Sequence, residues 1–366
     1  MLLPAMKYVV SKAGKKTFGL DRFFSGLQQQ TIPGVSFFTF SLLNVQEEHS
    51  YPIKTVQIVK STEEKANSKA KAEAKAKAKK NKTTGEKKKA GRPKGSKNKD
   101  KANVELNPEL VRIKENLQNL LETIGTDIVL KYLVMDGHFG NYPSAFMVRS
   151  TKLHLVSKFR HDASLYSAYD GEYSGHGPKK KYGNKIDLNN LDAKYMKERL
   201  VEDNICTETY QGEFYNKAFT FPLNVVILVK TNLLTKAKAS VILFTTDLEL
   251  EYQKIIKFYR LRFQIEFNFR DAKQYWGLED FMNIKKIAVT NAANISFFMV
   301  NFSQALLQPF REQNPDRSIL DLKSYYRGYR YVSETIKMLP EKPDVILLAD
   351  IFSRIAQLGA IHPVYM

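Results

Sequence analysis

Tyr259-Arg-Leu-Arg-Phe-Gln-Ile-Glu-Phe-Asn-Phe-Arg-Asp-Ala-Lys273 is the stretch whose reading decides the fold. On an α-helix at about 100° per residue, with Tyr259 at zero, Arg262 falls near 300°, Glu266 near 340° and Lys273 near 320°. These four side chains share one stripe about 60° wide over roughly 21 Å of axis. Phe258, Leu261, Ile265, Phe269, Ala272 and Trp276 cluster between about 200° and 280°. A core-facing stripe therefore lies beside a polar one, so the helix can anchor itself while presenting Glu266. The spacing predicts a single long helix from about residue 248 to residue 275. A plainer reading stays open: Arg262 and Glu266, four apart, also suit a solvated ion pair of about 0.2–0.5 kcal/mol.

Working outward, residues 223–229 and 240–245 are β-branched and apolar, and read as strands ahead of that helix. Residues 160–247 as a whole are rich in Tyr, Gly and β-branched residues, which predicts a β-rich insertion. Further upstream, residues 131–135 form a short strand ending at Asp136-Gly137, followed by a helix from Tyr142 and a strand at 153–159. Leu110, Val111, Ile113, Leu117, Leu120 and Leu121 have helical spacing over residues 108–124. Near the front, a short strand at 6–10 precedes a hairpin of residues 35–46 and 51–59. Helices are expected again at 287–307 and 342–358. The order is that of a mixed α/β domain, compatible with a five-stranded sheet flanked by helices.

The chain has 366 residues, 43% of them apolar, enough for a large core. Its net charge is +19. Residues 60–102 hold 17 Lys/Arg against 5 Asp/Glu, which leaves about +7 for the rest. A basic balance attracts polyanions, of which nucleic acid is the commonest large one; one Lys-rich segment skewing the total is the alternative. That segment can bury no core and is expected to be disordered or only transiently helical. Cys206 is the single cysteine, so no disulfide within the chain and no Cys-based zinc site is available. No apolar run approaches the roughly 18 residues that span a bilayer. The start lacks the pattern of a signal peptide. A cytoplasmic, nucleoid-associated location is expected.

Tyr-x2-Arg-x3-Glu-x6-Lys, carried by Tyr259, Arg262, Glu266 and Lys273, resembles the signature of bacterial DDE transposases of the insertion-sequence-four group. Phe244-Thr-Thr-Asp-Leu248 before the helix and Lys273-Gln-x-x-Gly-Leu278 after it agree with the same group. The resemblance extends from about Ser11 to the C-terminus, with the Lys-rich segment as a variable insertion. It implies an RNase H-like fold and three carboxylates holding two divalent ions, Mg2+ or Mn2+, for phosphodiester cleavage and strand transfer. It places the carboxylates on the first strand, at the end of the fourth strand and on the long helix. Asp136 fits the second position and Glu266 the third, although Asp-Gly is also a common turn. Tyr259, Arg262 and Lys273 are implied to grip DNA phosphates, a role that suits the Arg fork and the Lys point charge. Double-stranded transposon ends are the implied partner, with no membrane and with pairing of two copies as a homodimer.

The first carboxylate is missing from this pattern. Residues 6–10 read Met6-Lys-Tyr-Val-Val10, and counting back from Ser11 places Met6 or Lys7 where the family carries Asp. Asp21 follows Gly14 and Gly19 in what reads as a loop, and is not expected to substitute. Either the true start lies upstream of Met1, or a mutation or frameshift removed it. The chain is then expected to bind metal poorly. Gly91-Arg-Pro-Lys94 resembles an AT-hook core, making Arg92 and Lys94 candidate DNA contacts; a generic solubilising charge run explains them equally well. The resulting expectation has six parts. Residues 1–59 hold the first strands, 60–105 the Lys-rich insertion, and 106–160 the continued catalytic domain. Residues 161–247 form the β-rich insertion, 248–310 the catalytic and closing helices, and 311–366 a C-terminal helical region. Two functions follow from the sequence: an impaired transposase, or a non-catalytic DNA-binding remnant.

Overall fold

A computed structural model of the chain describes residues 1–26, 28–67, 69–70, 73, 104–173 and 175–362. The fold is mixed α/β, with helices on both faces of one large sheet. Its first five strands are β1 (Leu3–Ser11), β3 (Gln30–Asn44), β4 (His49–Ile58), β5 (Tyr132–Val134) and β6 (His154–Lys158). They lie side by side in the order β4-β3-β1-β5-β6. β1 and β3 are antiparallel, as are β3 and β4, whereas β5 runs parallel to both β1 and β6. This is the RNase H-like arrangement. A further strand, β2 (Asp21–Ser25), pairs with the start of β3.

The sheet is wider than the five strands expected. Ten strands among the described residues form it. β9 (Met196–Glu202), β10 (Ile205–Phe214), β11 (Leu223–Asn232) and β12 (Lys238–Thr245) continue past β6, because β12 pairs antiparallel with it. The β-rich stretch is thus partly an extension of the same sheet. Among the described residues, only β7 (Tyr166–Ala168) and β8 (Tyr182–Lys185) form a separate pair.

Alternation along β1 sorts its side chains between two layers. Leu3 and Ala5 pack with α1 (Pro108–Ile124) and α2 (Tyr142–Ser150) in the larger core. Met6, Tyr8 and Val10 face α4 (Gln264–Trp276) and α5 (Lys286–Gln313) on the other side. β3 is covered on both faces, so residues 34–41 are buried without a break, as a central strand requires. Phe38 and Phe40 enter the first core and Val35 and Phe37 the second. On α1 the buried side chains are Leu110, Ile113, Leu117 and Leu120, while Val111 is exposed despite its place in the apolar stripe.

The single long helix expected over 248–275 is two helices. α3 (Tyr252–Leu261) ends at Arg262, and α4 starts at Gln264. Between them the backbone tightens to i→i−3 bonds: Phe263 N–H to Arg260 O (3.1 Å), Ile265 N–H to Arg262 O (3.2 Å) and Glu266 N–H to Phe263 O (2.9 Å). The two halves serve different surfaces. Ile255 of α3 packs on Val226 and Leu243, and Leu261 on Val134 and Val156. Ile265, Phe269 and Ala272 of α4 pack on Val10, Val35 and Phe37. The twist of the sheet turns these two patches relative to one another, and the tightened turn lets one chain segment follow both. Beyond α5 lie α6 (Ile319–Lys337), between the two helices expected there, and α7 (Val345–Gln357).

Candidate active site

Asp136 follows β5 at its C-terminal tip, with extended backbone angles (φ −70°, ψ 175°). Its Oδ1 accepts from His138 N–H (3.0 Å), which caps a short 3-10 turn over Gly137–Phe139. Its carbonyl accepts from Ser157 Oγ (2.9 Å) on β6. The glycine that this tip needs is Gly140 rather than Gly137. A Cβ at Gly140 would overlap the Lys158 carbonyl, whereas one at Gly137 would lie 3.3 Å from its nearest neighbours.

Register decides what stands beside Asp136. Leu3 and Pro4 of β1 pair with Leu133 and Val134 of β5, and Val134 pairs with Val156 of β6. Continued two residues further, the same register puts Met6, inside β1, in one row with Asp136, just past β5, and Lys158, at the end of β6. Even-numbered β1 residues face α4, so Met6 and Asp136 lie on the side of Glu266. Lys7 points to the opposite layer and pairs with Glu109 of α1 at 2.6 Å. Of the two positions the sequence left open for the first carboxylate, Met6 is therefore the one beside Asp136. Asp21 is not a loop residue. It opens β2 at the outer edge of β3 and lies 3.6 Å from Lys60.

Glu266 sits in the first turn of α4. That helix is held by Phe269, buried among Val10, Phe37 and Phe297, and by Asn268. The buried Asn268 amide donates to Ser41 Oγ (3.2 Å) on β3 and to Ser50 Oγ (2.9 Å) on β4. Gly277 ends the helix in the left-handed region at φ 73°, which favours glycine, and Leu278 N–H then bonds Ala272 O (3.0 Å). Arg262 donates to Glu266 Oε1 at 3.1 Å, and its guanidinium lies 5.6 Å from the centre of the Tyr259 ring. Arg262 is the more buried of the ion pair, and its Nε has no partner. Burial holds the Tyr259 hydroxyl above its ordinary pKa. The charges of Asp136 and Glu266 push the same way, while Arg262 opposes them. One phenol thus feels both carboxylates and the guanidinium, which puts Asp136, Tyr259, Arg262 and Glu266 in one electrostatic neighbourhood.

Lys273 stands two turns further along α4. It bonds Tyr8 Oη of β1 (2.9 Å) and lies 3.7 Å from Glu279. Burial disfavours its charge, but the bond to Tyr8 and the charge of Glu279 outweigh this and hold its pKa above the ordinary value. Tyr8 and Lys158 are absent from the sequence-derived set. Tyr8 carries no motif of its own. Lys158 is exposed at the end of β6, and only the register of β5 with β6 brings it beside Asp136. Arg92 and Lys94 lie outside the described residues.

These side chains do not fit the two-ion centre that the resemblance implies. Mg2+ takes oxygen ligands, and the first position holds the soft thioether of Met6. Glu266 is already engaged by Arg262. Among the described residues, no group of three or more His, Cys, Asp or Glu side chains could hold a metal ion.

Residues 9–205, more than half of the chain, match the family model described as DDE superfamily endonuclease. The chain belongs to the DDE superfamily. Residues 111–302 also match the transposase DDE domain, a span that includes Asp136 and all four residues of the Tyr-Arg-Glu-Lys pattern. Neither match reaches Met6. No curated protein matches this DDE-superfamily chain. Membership makes DNA its substrate class and phosphodiester chemistry its inherited activity, and the family generally works with divalent metal ions. Among the described residues, no helix is long and apolar enough to cross a membrane.

Proposed function

We propose that this chain is a DNA transposase of the insertion-sequence-four group whose catalytic centre has lost its first carboxylate. The observation that carries the reading is the shared electrostatic neighbourhood of Asp136, Glu266, Arg262 and Tyr259, with Met6 of β1 in register beside Asp136. Asp136 and Glu266 are the remaining metal-ligand pair. Tyr259, Arg262 and Lys273 hold phosphates of a transposon end next to them. Arg92 and Lys94 add contacts from the Lys-rich segment. The complete centre of the group would bind two Mg2+ or Mn2+ ions, and this chain binds them weakly. The expected setting is the bacterial nucleoid in the cytoplasm, with two copies pairing the ends.

One specific observation favours the second reading, a DNA-binding remnant that no longer cuts. Arg262 occupies Glu266, so that carboxylate is charge-compensated without a metal ion. The two readings separate in one experiment on the purified chain, using duplexes that carry the DNA flanking its own gene. The expected result is salt-sensitive retention of the duplex with no cleavage or joining in Mg2+ or Mn2+. Strand transfer by the unaltered chain would overturn the loss of the centre. Failure to retain any duplex would overturn the DNA reading itself.

A further inference from the structure

The last turn of α4 opens onto a groove of about 970 Å³ between α5 and α6. Trp276 stands at its head, Phe302 on one wall and Tyr326 on the other, with Lys323, Arg327 and Arg330 along α6. Lys323 is anchored: it bonds the Tyr275 carbonyl (2.8 Å), and its ammonium lies 5.1 Å from the centre of the Trp276 ring. Arg327 and Arg330 are exposed, and neither has a carboxylate within ion-pair distance among the described residues. Among the described residues, Glu334 is the one acid on the lining, against three cations. Phe302 stacks on Phe298 with centroids 5.5 Å apart and planes 14° apart, and both rings are exposed. Tyr326 and Tyr331 expose 46% and 66% of their surface on the facing helix.

We propose that this groove holds unpaired nucleotides of a DNA strand. The alternation of open aromatic faces with exposed guanidinium groups is what such a strand needs: bases stack on the rings while phosphates meet Arg327 and Arg330. In a duplex the base faces are covered by their neighbours, so rings lining a groove of this size have nothing to stack on until the strand is unpaired. An apolar partner helix would bury three cations of the lining against the single carboxylate of Glu334, which already pairs with Lys337, and that is costly. The groove begins ten residues beyond Glu266, about 15 Å along α4. A strand leaving the carboxylates past Lys273 arrives there. The proposal rests on the DNA reading above, but not on the chain being able to cut.

Trp276 is the single tryptophan of the chain, so its emission reports on the groove alone. The full chain is titrated with a single strand of about 20 nucleotides and, separately, with the duplex made from it. Saturable quenching by the single strand and none by the duplex is expected. The double variant Tyr326→Ala, Arg327→Gln should shift the midpoint about tenfold or more, with unchanged circular dichroism and unchanged duplex retention on a gel. Equal quenching by duplex overturns the proposal, as does an unmoved midpoint in the variant. An emission change on concentrating the protein without DNA would show that a second copy occupies the groove instead. Duplex retention without any response of Trp276 sinks the groove alone; no binding of either DNA sinks the DNA reading with it.

Discussion

Replacing Met6 by Asp places a carboxylate on β1 beside Asp136, on the face of Glu266. Met6 is half-buried against the cluster that includes Ile265 and Phe269, so losing its side chain forfeits about 1 kcal/mol of the roughly 1.5–3 kcal/mol that a fully buried Met contributes. A third carboxylate near two others adds repulsion in the absence of metal. The metal-free variant should therefore be less stable by about 1–2 kcal/mol and melt a few degrees lower. Metal offsets this loss. At a free concentration ten times its Kd, a bound ion stabilises the folded state by about 1.4 kcal/mol, or about 2 °C in a chain of this size. The assay is thermal unfolding of both proteins with and without Mg2+ or Mn2+, backed by calorimetric titration. Met6→Asp should show the metal-dependent rise, and the parent chain little or none. Lys7→Asp is the control: it breaks the bond to Glu109, faces the other layer and should gain nothing from metal. Equal metal responses in the parent and Met6→Asp, or the same gain in Lys7→Asp, would refute the register argument.

Four further outcomes are expected. Asn268→Ala leaves the buried Ser41 and Ser50 hydroxyls without their donor and should lower unfolding free energy by about 1–3 kcal/mol in urea titrations. Gly140→Ala drives a Cβ into the Lys158 carbonyl and should cost about 1–3 kcal/mol in the same measurement. Lys158→Ala should weaken duplex binding evenly across sequences and lower the slope of log affinity against log salt by about 1, with folding unchanged. Glu64 accepts two bonds from Arg112 (2.8 and 2.9 Å), which, with the backbone of Ser61, hold its carboxyl at a pKa of about 2 against burial. Its folded pKa is depressed, so this stabilisation is complete above the unfolded value and is lost as pH falls from about 4.3 toward 2. Glu64→Gln should remove that part of the acid transition, of the order of 2 kcal/mol after allowance for partial exposure, in melts run from pH 6 to pH 2.

Much of the site was legible because its residues are local. Tyr259, Arg262, Glu266 and Lys273 lie within four turns of one chain segment, and helical periodicity aligns them without help from the fold. The segment is nevertheless two helices rather than one. A break that lets α3 and α4 follow different patches of a twisted sheet leaves no Pro or Gly to mark it. Tyr8 and Lys158 were invisible for another reason: Tyr8 meets Lys273 only across 265 residues of chain, and Lys158 reaches Asp136 only through the pairing of β5 with β6.

By itself, the sequence determined that residues 6–10 carry no carboxylate, that the helix after Leu250 has an apolar face beside a polar one, and that residues 60–102 cannot build a core. Those are properties of composition and local period, which the chain carries in any conformation. Only the tertiary structure decided that Met6 and not Lys7 stands beside Asp136, that Lys158 joins that row, and that Trp276 meets α6 across an open groove. Alternation along a strand says that neighbours point to opposite faces. Which face holds Glu266 follows only once β1 is registered against β5 and α4 is packed on top, and that choice is made by contacts more than a hundred residues apart.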